Sequence, residues 1–111
     1  MLMILLKNYQ KKDKAEITKW IEYLKEKGAF AQRPQTAILR GGDEGIYELR
    51  VQLKGKKKTR TLYFFCYENY IVLTHIFVKT TKKVPENEIA KAIKYKNDFL
   101  KRFNKNNIKG E

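Results

Sequence analysis

The sequence predicts an α+β fold: an N-terminal helical segment, an antiparallel β-meander and a C-terminal helix packed on the sheet. Three observations predict it. Ile17, Trp20, Ile21 and Leu24 recur at spacings of three and four, the period of one helical face. Three strand-like runs then follow in quick succession, joined by links so short that only antiparallel pairing can use them. After Pro85, Ile89, Ala92 and Ile93 restore the helical period. Helical material on either side of a meander predicts helices packed on one face of a sheet.

Taken in order, residues 1–8 are apolar until Lys7 and read as a short strand. Asp13-Lys14-Ala15-Glu16 has the layout of a capping box that opens the first helix. Gly28 is its expected stop, because glycine accepts the backbone conformation that ends a helix. Pro34 and Gly41-Gly42-Asp43 with Gly45 mark turns, and residues 35–39 between them read as a short helical piece. The first clear strand alternates Tyr47, Leu49, Val51 and Leu53 with Glu48, Arg50 and Gln52. Lys54-Gly55-Lys56-Lys57-Lys58 is a basic turn. Residues 59–67 form an aromatic strand, Glu68-Asn69 a tight turn, and residues 70–79 the next strand. Pro85 suits the first turn of a helix, where Glu86 and Glu88 complement the helix dipole. Ile89, Ala92, Ile93, Leu100 and Phe103 lie near its apolar face with Phe99 at the flank, and the tail from Asn104 is expected to fray.

A chain of 111 residues with 42% hydrophobic residues has enough apolar material for one domain spanning residues 1–111. No repeat or linker divides it. Lys plus Arg number 25 against 12 acidic residues, a formal charge of +13. A field of that sign attracts polyanions, nucleic acid first, then an acidic protein or an anionic membrane surface. The apolar N-terminal run is too short to span a bilayer and lacks a signal-peptide layout, so a cytoplasmic protein without a membrane partner is expected. The single Cys66 lies in the run YFFCY and reads as a small buried hydrophobe.

One histidine and one cysteine do not make a zinc site of the usual kind, and no phosphate-cradling glycine motif or nucleophile elbow is present. No cofactor is implied. What remains is cationic. Arg50 lies in the polar register of the first clear strand, Arg60 near the start of the second, and Lys79, Thr81, Lys82 and Lys83 follow the third. Antiparallel pairing sets the start of one strand beside the end of the next, so Arg60 and Lys79 are predicted neighbours. Arg50 joins them if the register turns it to the same surface.

Such a cluster suits cleavage of RNA through its own 2′-hydroxyl. The nucleophile is already in the substrate, so the protein orients it, removes a proton and stabilises charge on the phosphate. Arginine's planar fork matches phosphate oxygens, and a lysine crowded by cations loses its proton more easily than usual. On this reading Arg60 stabilises the phosphate, Lys79 or Lys82 is base or second cation, and Arg50 positions. Lys56, Lys57, Lys58, Thr81 and Lys83 are candidate RNA contacts, with Tyr63 as a base-stacking ring. The same cations also fit a solvated rim that binds phosphate without cutting, and spacing alone does not choose. His75 shares a side with Leu73, Phe77 and Lys79 by alternation; it is either a satisfied half-buried residue or a proton carrier.

The pieces GIYELRVQ, TRTLYFF and IVLTHIFVKTTKKVPENEIAKA together resemble the RelE/HigB-like toxin superfamily, in particular its phage-derived Gp49-like branch of type II toxin–antitoxin systems. The strongest piece is the pattern F-x-K-K-T-x-K-T-P followed by E-I-x-x-A. Phe77, Lys79, Thr81, Lys83, Pro85, Glu88, Ile89 and Ala92 match it, and Tyr47 to Arg50 match a Y-E-L-R piece. Thr80 stands where the family often has a second lysine, and Val84 where threonine is usual. The resemblance implies a compact RNase-like fold and a metal-independent endoribonuclease that cuts mRNA on the ribosome. It also implies a cognate antitoxin partner, of the helix-turn-helix kind. The family's site carries over to Arg50, Arg60, Lys79 and His75. Other branches of the superfamily poison DNA gyrase, so a module that binds its target without cleavage is the alternative.

Overall fold

A computed structural model describes residues 9–31, 34–67 and 70–103. The strand expected in residues 1–8, the turn expected at Glu68-Asn69 and the tail from Asn104 lie outside the described residues. In chain order come helix α1 (Lys11–Lys27), strands β1 (Thr36–Arg40), β2 (Ile46–Gln52), β3 (Lys58–Cys66) and β4 (Tyr70–Val78), and helix α2 (Glu86–Arg102). The strands form one sheet in the order β1-β2-β3-β4, each neighbouring pair antiparallel. The α+β meander is as expected, with one strand more.

That extra strand is a correction, since residues 35–39 read as helix. Gln, Ala and Leu favour a helix by only tenths of a kcal/mol. The open edge of β2 offers unpaired backbone groups instead. Thr36, Ala37 and Ile38 pair with Leu49, Glu48 and Tyr47, and Thr36 and Ala37 become buried. The hairpin that follows needs glycine at Gly42 and Gly45, whose φ angles are 58° and 53°. Lys96 of α2 pins this turn, donating to the carbonyls of Asp43 (3.1 Å) and Glu44 (2.7 Å).

The helices cover opposite faces of the sheet, not one. Ile17 and Leu24 of α1 pack with Leu49, Val51, Leu53 and Tyr63. Ala92 of α2 packs with Ile46, Leu62 and Phe64, backed by Ile93 and Phe99. The reason lies in β3. Leu62, Tyr63 and Phe64 are consecutive and all buried, so the strand is apolar on both sides and both must be covered. A bulge in β4 adjusts the two faces. Leu62 pairs with His75 while Tyr63 pairs with Leu73, leaving Thr74 as the extra residue. Strict alternation would put Leu73 and His75 together; the bulge sends Leu73 towards α1 and His75 towards α2.

The helix ends differ in detail from expectation. Gln10, in extended conformation and without a side-chain hydrogen bond, is the residue before α1, and Asp13 lies inside the first turn. Its carboxylate therefore acts through the helix dipole and is not a cap. Gly28 does end α1, at φ 56° with its N–H on the Leu24 carbonyl. Pro85 precedes α2, whose first turn carries Glu86 and Glu88. On α2, Phe99 is the core aromatic, edge-on to Phe64 at 5.8 Å, whereas Leu100 and Phe103 are exposed. Among the described residues no helix is long and apolar enough to cross a membrane.

Phe64 has no exposed surface and supports the α2 side of the sheet. Phe64→Ala is expected to lower unfolding free energy by about 3–5 kcal/mol, read as a shift of the urea midpoint at unchanged slope.

Candidate functional site

Alternation along β2 turns Glu48 and Arg50 to the α2 face, and the register sets Arg50 directly opposite Arg60 of β3. Two like charges opposed across a ladder repel. Glu48 resolves this by dividing its carboxylate. Arg50 holds Oε2 through Nε (3.0 Å) and Nη2 (2.9 Å), and Arg60 Nε stands 3.0 Å from Oε1. That last contact is an ion pair without hydrogen-bond alignment, so both buried atoms keep unused hydrogen-bonding capacity. Arg60 also donates from Nη1 to the Thr59 carbonyl at 3.0 Å. Its side chain is 9% exposed against 32% for Arg50, so Arg50 is the more open of the two. Burial pulls Arg60 below its ordinary pKa, with Glu48 opposing and Arg50 adding to the effect; a guanidinium nonetheless stays cationic.

Lys79 continues the β3–β4 ladder, its N–H on the Lys58 carbonyl at 2.8 Å. A groove of about 540 Å³ runs beside it between β1, β2 and the start of α2, lined by Glu48, Arg50, Lys79, Lys82, Lys83 and Ile89. Desolvation lowers the Lys79 pKa, the charge of Arg60 lowers it further, and Glu48 opposes. Arg60 and Lys79 are therefore electrostatic neighbours, as the antiparallel geometry predicts. Arg40 closes one side of the groove by pairing with Glu86 of α2.

The remaining candidates separate. Lys82 and Lys83 reach this groove, while Thr81 is exposed and donates to the Lys83 carbonyl, shaping the loop. Lys58 lies on a second groove with Arg50 and Arg60. Lys56 and Lys57 are exposed on the turn before β3, Lys57 with its ammonium 5.2 Å from the centre of the Tyr9 ring. Tyr63 is a correction. It is 1% exposed on the α1 face, stacked on Tyr47 at 5.4 Å, and burial pushes its hydroxyl up to about 12. It is a core ring on the wrong face to stack a base beside Arg60.

His75 joins sheet to helix. Its Nε2 is 2.9 Å from Glu88 Oε1 and its Nδ1 3.1 Å from Thr74 Oγ1. Burial lowers its pKa against the pull of Glu88, and the ring stacks on Phe77 at 5.5 Å with Tyr95 edge-on at 5.8 Å. It is not among the groove's lining residues, so geometry favours its reading as a satisfied half-buried residue. Cys66 is half-buried, not fully buried as expected, and that burial raises its thiol pKa. Among the described residues no three or more His, Cys, Asp or Glu side chains gather as a metal site needs.

A profile of the family described as phage-derived protein Gp49-like matches residues 5–97. The chain belongs to this family. It is a RelE/HigB-like toxin family, which suggests a toxin of a toxin–antitoxin system and implies an antitoxin partner. No curated protein matches the chain.

Sequence reasoning missed Glu48. Its one signal is a carboxylate at the position alternating with Arg50 inside an otherwise apolar strand; its burial depends on β1 and α2, which that signal does not contain. Glu48→Ala leaves two opposed guanidinium groups without their shared counter-ion. It is expected to cost about 3–5 kcal/mol of stability. A Glu48→Ala/Arg60→Met pair should recover part of the loss, and thermal melts of the three variants check the ordering.

Proposed function

We propose that the protein is a ribosome-dependent mRNA endoribonuclease that stops translation, acting by attack of the RNA 2′-hydroxyl on the adjacent phosphate. The observation that carries this reading is the gathering of Arg50, Lys79, Lys82 and Lys83 around one groove, with Arg60 behind them, sharing the buried Glu48 carboxylate with Arg50. A phosphate at Arg50 meets a donor fork already oriented, so little reorganisation is needed as charge builds on its oxygens. Arg60, which lines the neighbouring groove directly across the ladder from Arg50, supplies the second fork and stabilises the transition state. Lys79, whose pKa is lowered, takes the 2′-hydroxyl proton as the 2′-oxygen bonds to phosphorus. The bond from phosphorus to the 5′-oxygen breaks, leaving a 2′,3′-cyclic phosphate, and the leaving 5′-oxygen takes a proton from water. Lys82 and Lys83 hold the flanking phosphates. Thr80, where the family often has lysine, is exposed, so this base role falls to Lys79. No step requires a metal, because the nucleophile belongs to the substrate. Ribosome dependence draws support from the cations outside the groove: Lys11, Lys12, Lys19, Lys25 and Lys27 on α1 and Lys91, Lys94 and Lys101 on α2 are exposed, suited to a second, larger polyanion such as ribosomal RNA.

The test is to induce the protein and map mRNA 5′ ends by primer extension, then repeat with purified components with and without ribosomes. Codon-periodic ends that require ribosomes are expected; intact mRNA during growth arrest would sink the nuclease reading in favour of a toxin that binds another target. Arg60→Ala is a poor probe, because it strands the Glu48 charge. Arg60→Lys keeps the charge and loses the fork, and should slow cutting by about 10²–10³-fold with an unchanged circular dichroism spectrum. The neutral form of Lys79 is the active base and its pKa is lowered by burial and by Arg60, so cutting should rise with pH, the rise falling below the ordinary lysine range. Lys79→Arg, which does not titrate there, should cut weakly with a flat profile.

A further inference from the structure

A second groove, of about 430 Å³, opens where β1 parts from β2. The last pair between these strands is Thr36 with Leu49, and the Gln35 carbonyl still accepts the Arg50 N–H at 2.7 Å. Beyond that point no described strand flanks this edge of β2, whose other edge stays paired with β3. Trp20, Gln35, Arg50, Gln52, Lys58 and Arg60 line the opening. Arg50 also lines the first groove, so the two share a wall at the guanidinium that grips the phosphate.

The chemistry of the two grooves differs. The first is walled by ammonium groups, which suit a phosphate. The second combines an indole with two carboxamides. A carboxamide offers a donor and an acceptor side by side, which is what the edge of a nucleobase requires, and an indole offers a face for stacking. Trp20 is fixed in place: its Nε1–H donates to Glu16 Oε2 at 3.1 Å, and Tyr23 packs against it edge-on at 5.2 Å. The exposed Lys19 side chain holds its ammonium over the ring, 5.3 Å from the centroid, and is the group a stacking base would displace. Among the described residues neither Gln35 nor Gln52 has a hydrogen-bond partner for its carboxamide. Lys58 supplies a cation for the next phosphate.

We propose that this groove seats the unpaired nucleobase next to the phosphate held at Arg50, and that Trp20, Gln35 and Gln52 set which base is accepted there. The proposal rests on the nuclease reading and assigns its sequence preference to α1 and the open edge of β2. The cationic loop after β4 then grips backbone and reads no sequence.

The test compares the wild-type chain with a Gln35→Ala/Gln52→Ala variant in a ribosome-programmed cleavage reaction. Cut ends are sequenced, and the ratio of best to worst base beside the cut is scored. The variant's ratio is expected to fall by about tenfold, the discrimination lost with one well-placed base contact. A wild-type chain that cuts, with a variant whose ratio is unchanged, overturns the proposal. Because the ratio is internal to each reaction, a general loss of activity does not imitate the result. If the wild-type chain does not cut, the nuclease reading fails and the groove is judged by binding. Trp20 is the only tryptophan of the chain, so its fluorescence reports stacking directly. Titration with tetranucleotides of rA, rC, rG and rU should quench it with unequal affinities. No quenching by any of the four, or equal quenching by all of them, overturns the assignment.

Discussion

The carboxylate of Glu48 is the contact on which the cationic face depends. The register of β2 and β3 forces Arg50 and Arg60 into direct opposition, and among the described residues Glu48 is the carboxylate that forms an ion pair with each. Each oxygen of Glu48 faces one guanidinium, at 3.0 Å or less. A buried ion triad of this kind is costly to desolvate and adds little to net stability. What it does supply is direction. Two guanidinium forks that would otherwise sample many rotamers are held in one arrangement.

The two helices have separate duties around that triad. α1 seals the far face, where Leu49, Val51 and Tyr63 form its floor. α2 covers the near face only in part: Ile89 and Ala92 are buried, and the first turn stops at the groove, where Arg40 meets Glu86. The same helix is tied to the sheet by His75 through Glu88 and to the β1–β2 hairpin by Lys96. The near face is thus covered by hydrocarbon at one end and left open to solvent at the end where the cations lie. An uncovered end of a sheet, walled by a helix start and a basic loop, is where a polyanion has room to approach.

The bulge at Thr74 links fold and site. Without it, Leu73 and His75 would share a face, and one of them would be misplaced: an imidazole against α1's apolar floor, or a leucine at Glu88. With it, each finds its own chemistry, and Lys79 emerges from β4 on the face of Arg60. One inserted residue therefore decides both where the histidine is satisfied and where the basic loop begins.

Much of this was legible in the linear sequence because the signals are local. Helical spacing in residues 17–24 and 89–93, alternation through residues 47–53, Gly28 as a stop and the antiparallel proximity of Arg60 to Lys79 all follow from period and chain connectivity. The pattern from Phe77 to Pro85 was enough to suggest the toxin family, because it spans a strand end, a loop and a helix start without a gap. The tertiary structure alone decided what depends on partners far along the chain. Residues 35–39 became a strand because β2 had an edge to fill. The helices took opposite faces because β3 is apolar on both, and Tyr63 went to the α1 side by parity. Glu48 became the buried counter-ion because Arg50 and Arg60 met across a ladder. Period tells which residues share a face, but only packing tells which face is covered, and an ionic contact takes its meaning from that cover.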